Sequence, residues 1–227
     1  MDRIAQRFAS LKDKKEKALV GFITAGDPDI ETSKNIITAM CQAGLDVLEL
    51  GIPFSDPTAD GPVIQRSSMR AIKAGVNIKA VLEICTEIRK NYDLPIILFS
   101  YYNPIFHYGC GRFYEDALHA GADGALIVDL PFEQSSELDG VFDMNKFSLI
   151  SLIAPTTEDD RLKAICENAR GFIYMINKVG ITGTGGIDTS LIKANAQRVE
   201  KYAKVPVCMG FGISSPADAA SIAPFAE

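Results

Sequence analysis

Residues 48–65 read LELGIPFSDPTADGPVIQ, from Leu48 to Gln65, and the fold turns on how that stretch is read. With Asp46 and Val47 before it, its first part is a short strand. Side chains alternate along a strand, so Val47, Glu49 and Gly51 share one face and Leu48 and Leu50 the other. Glu49 is therefore an acid in apolar company. The rest is a loop rich in Pro, Gly and Asp that carries two carboxylates, Asp56 and Asp60. A buried acid at the C-terminal end of a strand, facing a loop with further acids, suits proton transfer.

Outward from this stretch, strands and helices alternate. Apolar strand patterns occupy 18–24, 46–51, 95–100, 124–129, 147–153, 171–176 and 206–210. Helical spacing occupies 2–13, where Ile4, Phe8 and Leu11 share a face, then 30–43, 63–74, 78–91, 113–120, a weaker 133–144, 158–168, 188–202 and 216–223. The segment Tyr101-Tyr102-Asn103-Pro104 reads as a loop. The strands are apolar throughout rather than half polar, as in a parallel sheet covered by helices. An internal echo supports repetition: Ala43-Gly44-Leu45-Asp46 and Ala120-Gly121-Ala122-Asp123 each carry a glycine that stops a helix before a strand.

Two architectures fit, a doubly wound sheet and a (β/α)8 TIM barrel. The first strand lacks the Gly-x-Gly-x-x-Gly turn of dinucleotide folds. Polar residues gather just after the strands, at Thr24, Glu49, Ser100, Asp129 and Asn177, which is where a barrel keeps its chemistry. The reading is a single α/β barrel domain over 1–227, with the eighth strand and helix absent. The chain is expected to stop where the connection to that strand would begin.

Among the 227 residues 47% are hydrophobic and 23% charged, enough apolar material for a sizeable core. The net charge of −6 argues against a nucleic-acid partner, since phosphate backbones require clustered cations. No apolar run is long enough to span a membrane, and no signal or transit pattern opens the chain. Cys41, Cys85, Cys110, Cys166 and Cys208 are scattered, which implies free thiols in a reducing, cytoplasmic setting. His107 and His119 are the two histidines, so metal ligation is not expected.

Glu49 has two readings: a general acid/base whose pKa burial raises, or a structural acid paired with a buried Lys or Arg. Asp60 is either a catalytic carboxylate on a mobile loop or a turn residue of an Asp-Gly pair, and Asp56 has the stronger turn reading. Two glycine-rich loops, 180–186 and 210–214, follow the last two strand patterns and expose backbone N–H groups suited to phosphate. Phe22, Tyr101, Tyr174 and Phe211 are aromatics at strand ends, able to line a flat apolar pocket or to fill core. Lys178 stands just past a strand, where Schiff-base aldolases keep a lysine.

These residues closely resemble the α subunit of tryptophan synthase. The 48–65 stretch matches that family's pattern almost residue for residue. Ile23-Thr24-Ala25-Gly26-Asp27-Pro28, Tyr102-Asn103-Pro104, Gly180-Ile181-Thr182-Gly183 and Gly210-Phe211-Gly212-Ile213-Ser214-Ser215 match in order and approximate spacing. The resemblance covers the whole chain. It implies retro-aldol cleavage of indole-3-glycerol phosphate to indole and glyceraldehyde 3-phosphate, a lyase reaction of aromatic amino-acid biosynthesis. Glu49 matches the general acid/base and Asp60 the carboxylate that assists at the indole N–H. Phe22, Ile64, Tyr101 and Tyr174 match positions around indole and glycerol, Thr182 and Gly183 the closing lid, and Gly183, Phe211 and Gly212 the phosphate site. The family works as an α2β2 heterotetramer. Its β subunit holds pyridoxal phosphate (PLP) and receives indole directly, so the α chain needs no cofactor. By the same resemblance the loops around 56–60 and 102–106 face the β subunit. The family's eighth strand, with a Gly-Ser turn and closing helices, is not found in the sequence. Two rivals remain: a non-catalytic activator of the β subunit, and another phosphate-binding aldolase that uses Lys178.

Overall fold

The structure, a computed structural model, describes residues 2–138, 140–176, 189–210, 213 and 215–227. Eight short strands run in chain order: β1 (Val20–Thr24), β2 (Val47–Gly51), β3 (Ile96–Ser100), β4 (Gly124–Ile127), β5 (Ser148–Leu149), β6 (Ser151–Ile153), β7 (Ile173–Ile176) and β8 (Val207–Gly210). All described pairings are parallel. The strands β1 to β5 form one hydrogen-bonded set and β6 to β8 another, each in sequential order. The expected strand 147–153 is thus divided at Ile150, whose N–H still bonds Ala125 O at 2.8 Å. No order reversal occurs, which separates this architecture from a doubly wound sheet.

Alternation sorts the strand side chains onto two faces. One set, with Val47, Ile97, Leu126, Ile150 and Cys208, forms an inner cluster fed by strands from both sets. The other set packs under helices. Leu48, Leu50, Ile96, Leu98 and Ala125 meet α2 (Ile30–Gln42), α4 (Ile78–Arg89) and α6 (Cys110–Ala120). Ile173, Met175, Val207 and Met209 meet α7 (Asp159–Asn168), α8 (Thr189–Glu200) and α9 (Pro216–Ile222). A closed inner cluster walled by parallel strands, with helices outside, is barrel geometry. The amphipathic α1 (Arg3–Lys14) contributes Ile4 and Phe8 to the inner cluster, with Phe8 against Phe172 at 6.0 Å between centroids.

The internal echo has a structural cause. Gly44 and Gly121 hold φ of 98° and 85°, a left-handed turn that a side chain would strain. Each is followed by an aspartate that caps a strand entry: Asp46 accepts the N–H of Leu19 at 2.8 Å and Asp123 that of Ile96 at 2.9 Å. Arg3 and Arg89 also bind Asp123, at 2.9 and 2.7 Å, and thereby tie α1 and α4 to the same end of the sheet.

The structure corrects two expectations. The Tyr102 segment is a helix, α5 (Tyr102–Tyr108), because a proline in the first turn forfeits no hydrogen bond there. The expected helix over 133–144 is instead a 3-10 turn, Phe132–Leu138. Gly140 at φ 77° ends it, and Phe142 turns inward to pack on Phe113, Tyr114 and Phe147. The chain continues from α9 through a short 3-10 turn (Ala223–Phe225) to the seam between β8 and β1. There Glu227 N–H bonds Val207 O at 3.1 Å, and Ala18 N–H bonds Glu227 O at 2.7 Å. Among the described residues no helix is long and apolar enough to cross a membrane.

Candidate active site

Glu49 sits mid-strand in β2, in register with Phe22 of β1 and Ile97 of β3. It shares the inward face of Val47, as the alternation requires, and is 3% exposed. Its Oε1 finds no hydrogen-bond partner. No Lys or Arg pairs with it among the described residues. Burial alone pushes its pKa from 4.5 up to about 8. The carboxyl is therefore mainly protonated at neutral pH and able to donate.

Above it, towards the C-terminal strand ends, a hollow is lined by Phe22, Thr24, Asp60, Ile64, Phe99 and Tyr101, with Gly51 and Ser100 at its floor. Four expected site residues, Phe22, Asp60, Ile64 and Tyr101, are thus brought together. Phe22 and Phe99 meet edge-on at 5.1 Å, and Tyr101 lies on Phe54 at 5.3 Å. Asp60 is half-buried, and burial raises its pKa while a hydrogen bond from Tyr101 opposes the rise. The Tyr101 hydroxyl donates to Asp60 Oδ2 at 3.0 Å and accepts the Ala59 N–H at 3.0 Å, so it holds this loop at two points. Asp56 is exposed, and its backbone O accepts the Thr58 N–H at 2.9 Å, in keeping with its turn reading.

Tyr174 enters from β7. Burial raises its pKa, and the charges of Glu49 and Asp60 add to the rise, so its phenol lies in the field of both acids. Its ring fills the space beside Gly210, where an added Cβ would fall 2.1 Å from ring atoms. Gly51 likewise leaves room for the Phe22 ring, 2.8 Å from an added Cβ. Glycine at two strand ends is what lets these aromatics fold over the mouth. Thr182, Gly183, Phe211, Gly212 and Lys178 lie outside the described residues.

Sequence reasoning missed the support behind the hollow. Thr24 Oγ1 and Ser67 Oγ are 2.7 Å apart and buried, which joins β1 to α3 (Pro62–Lys73). The signal was present: Ser67, Ser68 and Ala71 form a small-residue buried face on α3 that lets the helix approach closely. A larger groove of about 730 Å³ runs beside β4 to β6 and α7 but holds none of the expected site residues. Among the described residues no group of three or more His, Cys, Asp or Glu could hold a metal ion.

Glu49 is thus a buried acid with an unpartnered oxygen on a strand whose end lines a hollow edged by aromatics and a second acid. The family model for tryptophan synthase alpha chain matches residues 8–227. The chain belongs to the tryptophan synthase alpha chain family. The alpha chain of Desulfosudis oleivorans is 55% identical over 227 residues, covering 100% of this chain and 86% of that one. That of Geobacter sulfurreducens is 43% identical, with 100% and 86% covered. Among solved structures, tryptophan synthase subunit alpha from Legionella pneumophila superposes with a TM-score of 0.90 at 38% identity, covering 100% of this chain and 84% of that one. A tryptophan synthase structure from Mycobacterium tuberculosis gives 0.91 at 31% identity, with 99% and 86% covered. The barrel described above is thus the alpha-chain fold.

Proposed function

We propose that this chain, a lyase of the tryptophan pathway, cleaves indole-3-glycerol phosphate to indole and glyceraldehyde 3-phosphate by a retro-aldol step. The observation that carries the reading is the unpartnered Oε1 of Glu49, buried on the inward face of β2, the strand whose end, Gly51, lines the aromatic hollow. Carbon–carbon cleavage here needs a proton delivered to the indole ring carbon and one taken from the side-chain hydroxyl. Glu49, neutral at rest, gives the first and in its ionised form accepts the second. Asp60 faces the indole N–H and offsets the positive charge that develops on the ring. Phe22, Ile64, Tyr101 and Tyr174 hold the flat ring and the glycerol chain. Thr182 and Gly183 close over the substrate, and Gly183, Phe211 and Gly212 hold its phosphate through backbone N–H groups.

The chain acts with a β subunit, in an α2β2 assembly, to which it passes indole. The PLP belongs to that partner, and the chemistry above draws only on side chains and backbone of this one. The compartment is the cytoplasm.

The test is indole release from indole-3-glycerol phosphate, with and without a β subunit. The parent chain is expected to be active and β-stimulated, and Glu49→Gln to lose about 10²–10⁴-fold in kcat. Full activity in Glu49→Gln would sink the assignment.

A further inference from the structure

Two adjacent tyrosines at the end of β3 face opposite neighbours. Tyr101, the residue that caps α5, is 3% exposed, and its hydroxyl is held between Asp60 Oδ2 and the Ala59 N–H. Tyr102, the first residue of α5, is held from the other side. Its backbone N–H donates to Asp129 Oδ1 at 2.6 Å, and its hydroxyl donates to Glu137 Oε2 at 3.1 Å. Asp129 follows β4, and Glu137 lies in the 3-10 turn beyond it. The loops after β2, β3 and β4 are therefore joined in a row, with Asp60 at one end and Asp129 at the other.

The Asp129 bond is the shorter link, a side-chain oxygen on a backbone donor at 2.6 Å. It falls at the first turn of α5, whose capping residue offers no side-chain hydrogen bond of its own. Asp129 supplies from a neighbouring strand the acceptor that Tyr101 cannot, and so fixes the backbone that aims the Tyr101 ring. A phenol that must reach a carboxylate and an amide at once tolerates little rotation of that backbone.

We propose that Asp129 is a positioning residue for Asp60, acting through the Tyr102 N–H and the Tyr101 hydroxyl. The proposal rests on the reading of Asp60 as the acid that serves the indole N–H. Asp60 is edged by Tyr101 from α5 and, more distantly, by Tyr174 from β7, which also feels Glu49 of β2. Asp129 reaches Asp60 only through Tyr101. A hydroxyl donor favours the ionised carboxylate, so loss of the aimed phenol raises the pH at which Asp60 titrates.

The experiment is a double-mutant cycle of Asp129→Ala and Tyr101→Phe, read in two ways. One is the Asp60 carboxyl titration followed by carbon NMR. The other is kcat and KM for indole release, with β subunit present. Each single variant is expected to move the Asp60 midpoint upward and lower kcat about three- to tenfold, with KM within about twofold. The double variant should match Tyr101→Phe alone, because the path to Asp60 is already cut. Asp129→Asn keeps an acceptor oxygen and should restore both readouts. Tyr102→Phe, which loses the hydroxyl's interactions with Glu137 and Cys110 but keeps the backbone N–H, should leave them unchanged. Additive effects, or an Asp60 titration unmoved by Asp129→Ala, would overturn the proposal. A parent chain that releases no indole would refute the function instead, and the titration would still decide whether Asp129 positions Asp60. A helix that merely loosened would lower the melting temperature without moving the Asp60 midpoint, and that outcome also counts against the proposal.

Discussion

Replacing Glu49 by Gln should stabilise this protein increasingly as pH rises. The native carboxyl titrates near 8 rather than 4.5 because burial penalises its ionised form. In the unfolded chain it ionises near the lower value. Between the two, the native state holds a proton that the unfolded state has released, so stability declines as pH climbs and levels off above about 8. From about pH 5 to about pH 8 the linkage integral for these two values is roughly 3.5 kcal/mol. A chain of this size shifts its melting temperature by roughly 2–4 °C per kcal/mol, which gives about 7–14 °C. Glutamine cannot ionise, and any cost of seating its amide is the same at every pH. The difference in melting temperature between Glu49→Gln and the parent should therefore widen by about that amount in favour of the variant across this range. Tyr174 and Cys208 are raised by burial, further away from this pH range, so they stay protonated in both proteins and do not contribute to the difference. Scanning calorimetry across pH decides it. Two melting curves that stay parallel within a degree or two would refute the reasoning, because the acid would then be ionised or solvated in the native state.

The same protonation sets the rate profile: kcat/KM for indole release should fall as pH rises through about 8, and a steady-state pH series that stays flat to about pH 10 would remove Glu49 as the acid. Gly210→Ala puts a Cβ into the Tyr174 ring, so that ring must swing into the mouth. KM should rise at a cost of about 1–3 kcal/mol in stability, read by kinetics and denaturant unfolding. Arg89→Ala strands the Gly121, Tyr92 and Leu94 carbonyls and leaves Asp123 with only Arg3 as a cationic partner. A loss of about 3 kcal/mol or more by urea titration is expected, with activity per folded molecule unchanged.

The parts of this molecule that follow a period were legible before any coordinates. Strand alternation placed Glu49 inward beside Val47, and both are buried. Helical spacing placed Ile4, Phe8 and Leu11 on one face, and all three are buried. The glycines of the echo read as turns because only their left-handed φ lets a helix end and a strand begin so soon. What was not legible depends on partners distant in sequence. Nothing local shows that Tyr102–Tyr108 is a helix, since its Asn-Pro pair reads as a turn and its first amide is satisfied by Asp129 from β4. Nor does the pattern of 133–144 show that Phe142 prefers the aromatic cluster of Phe113, Tyr114 and Phe147 to a place on a helix. The Thr24–Ser67 pair, 43 residues apart, is hidden for the same reason.

The inward face of β2 explains why stability and chemistry pull against each other at one residue. Below Glu49 lies the inner cluster. Ile4 and Phe8 of α1 join Val47, Ile97, Leu126 and Phe172 in the inner cluster, and a packed apolar floor offers a carboxylate neither water nor donors. Above it, described neighbours such as Phe22 and Phe99 are aromatic, and the hydrogen-bonding groups of the hollow serve one another: Thr24 with Ser67, Tyr101 with Asp60. Under the proposed function, Glu49 keeps its proton until a substrate arrives to take it. Filling its vacant acceptor with a nearby lysine would ionise the acid, remove the penalty and stabilise the fold, but the group would then have no proton to give at neutral pH. In the proposed function the unpartnered Oε1 is thus a condition of the acid's role, and the apolar floor to which α1 contributes helps to maintain it.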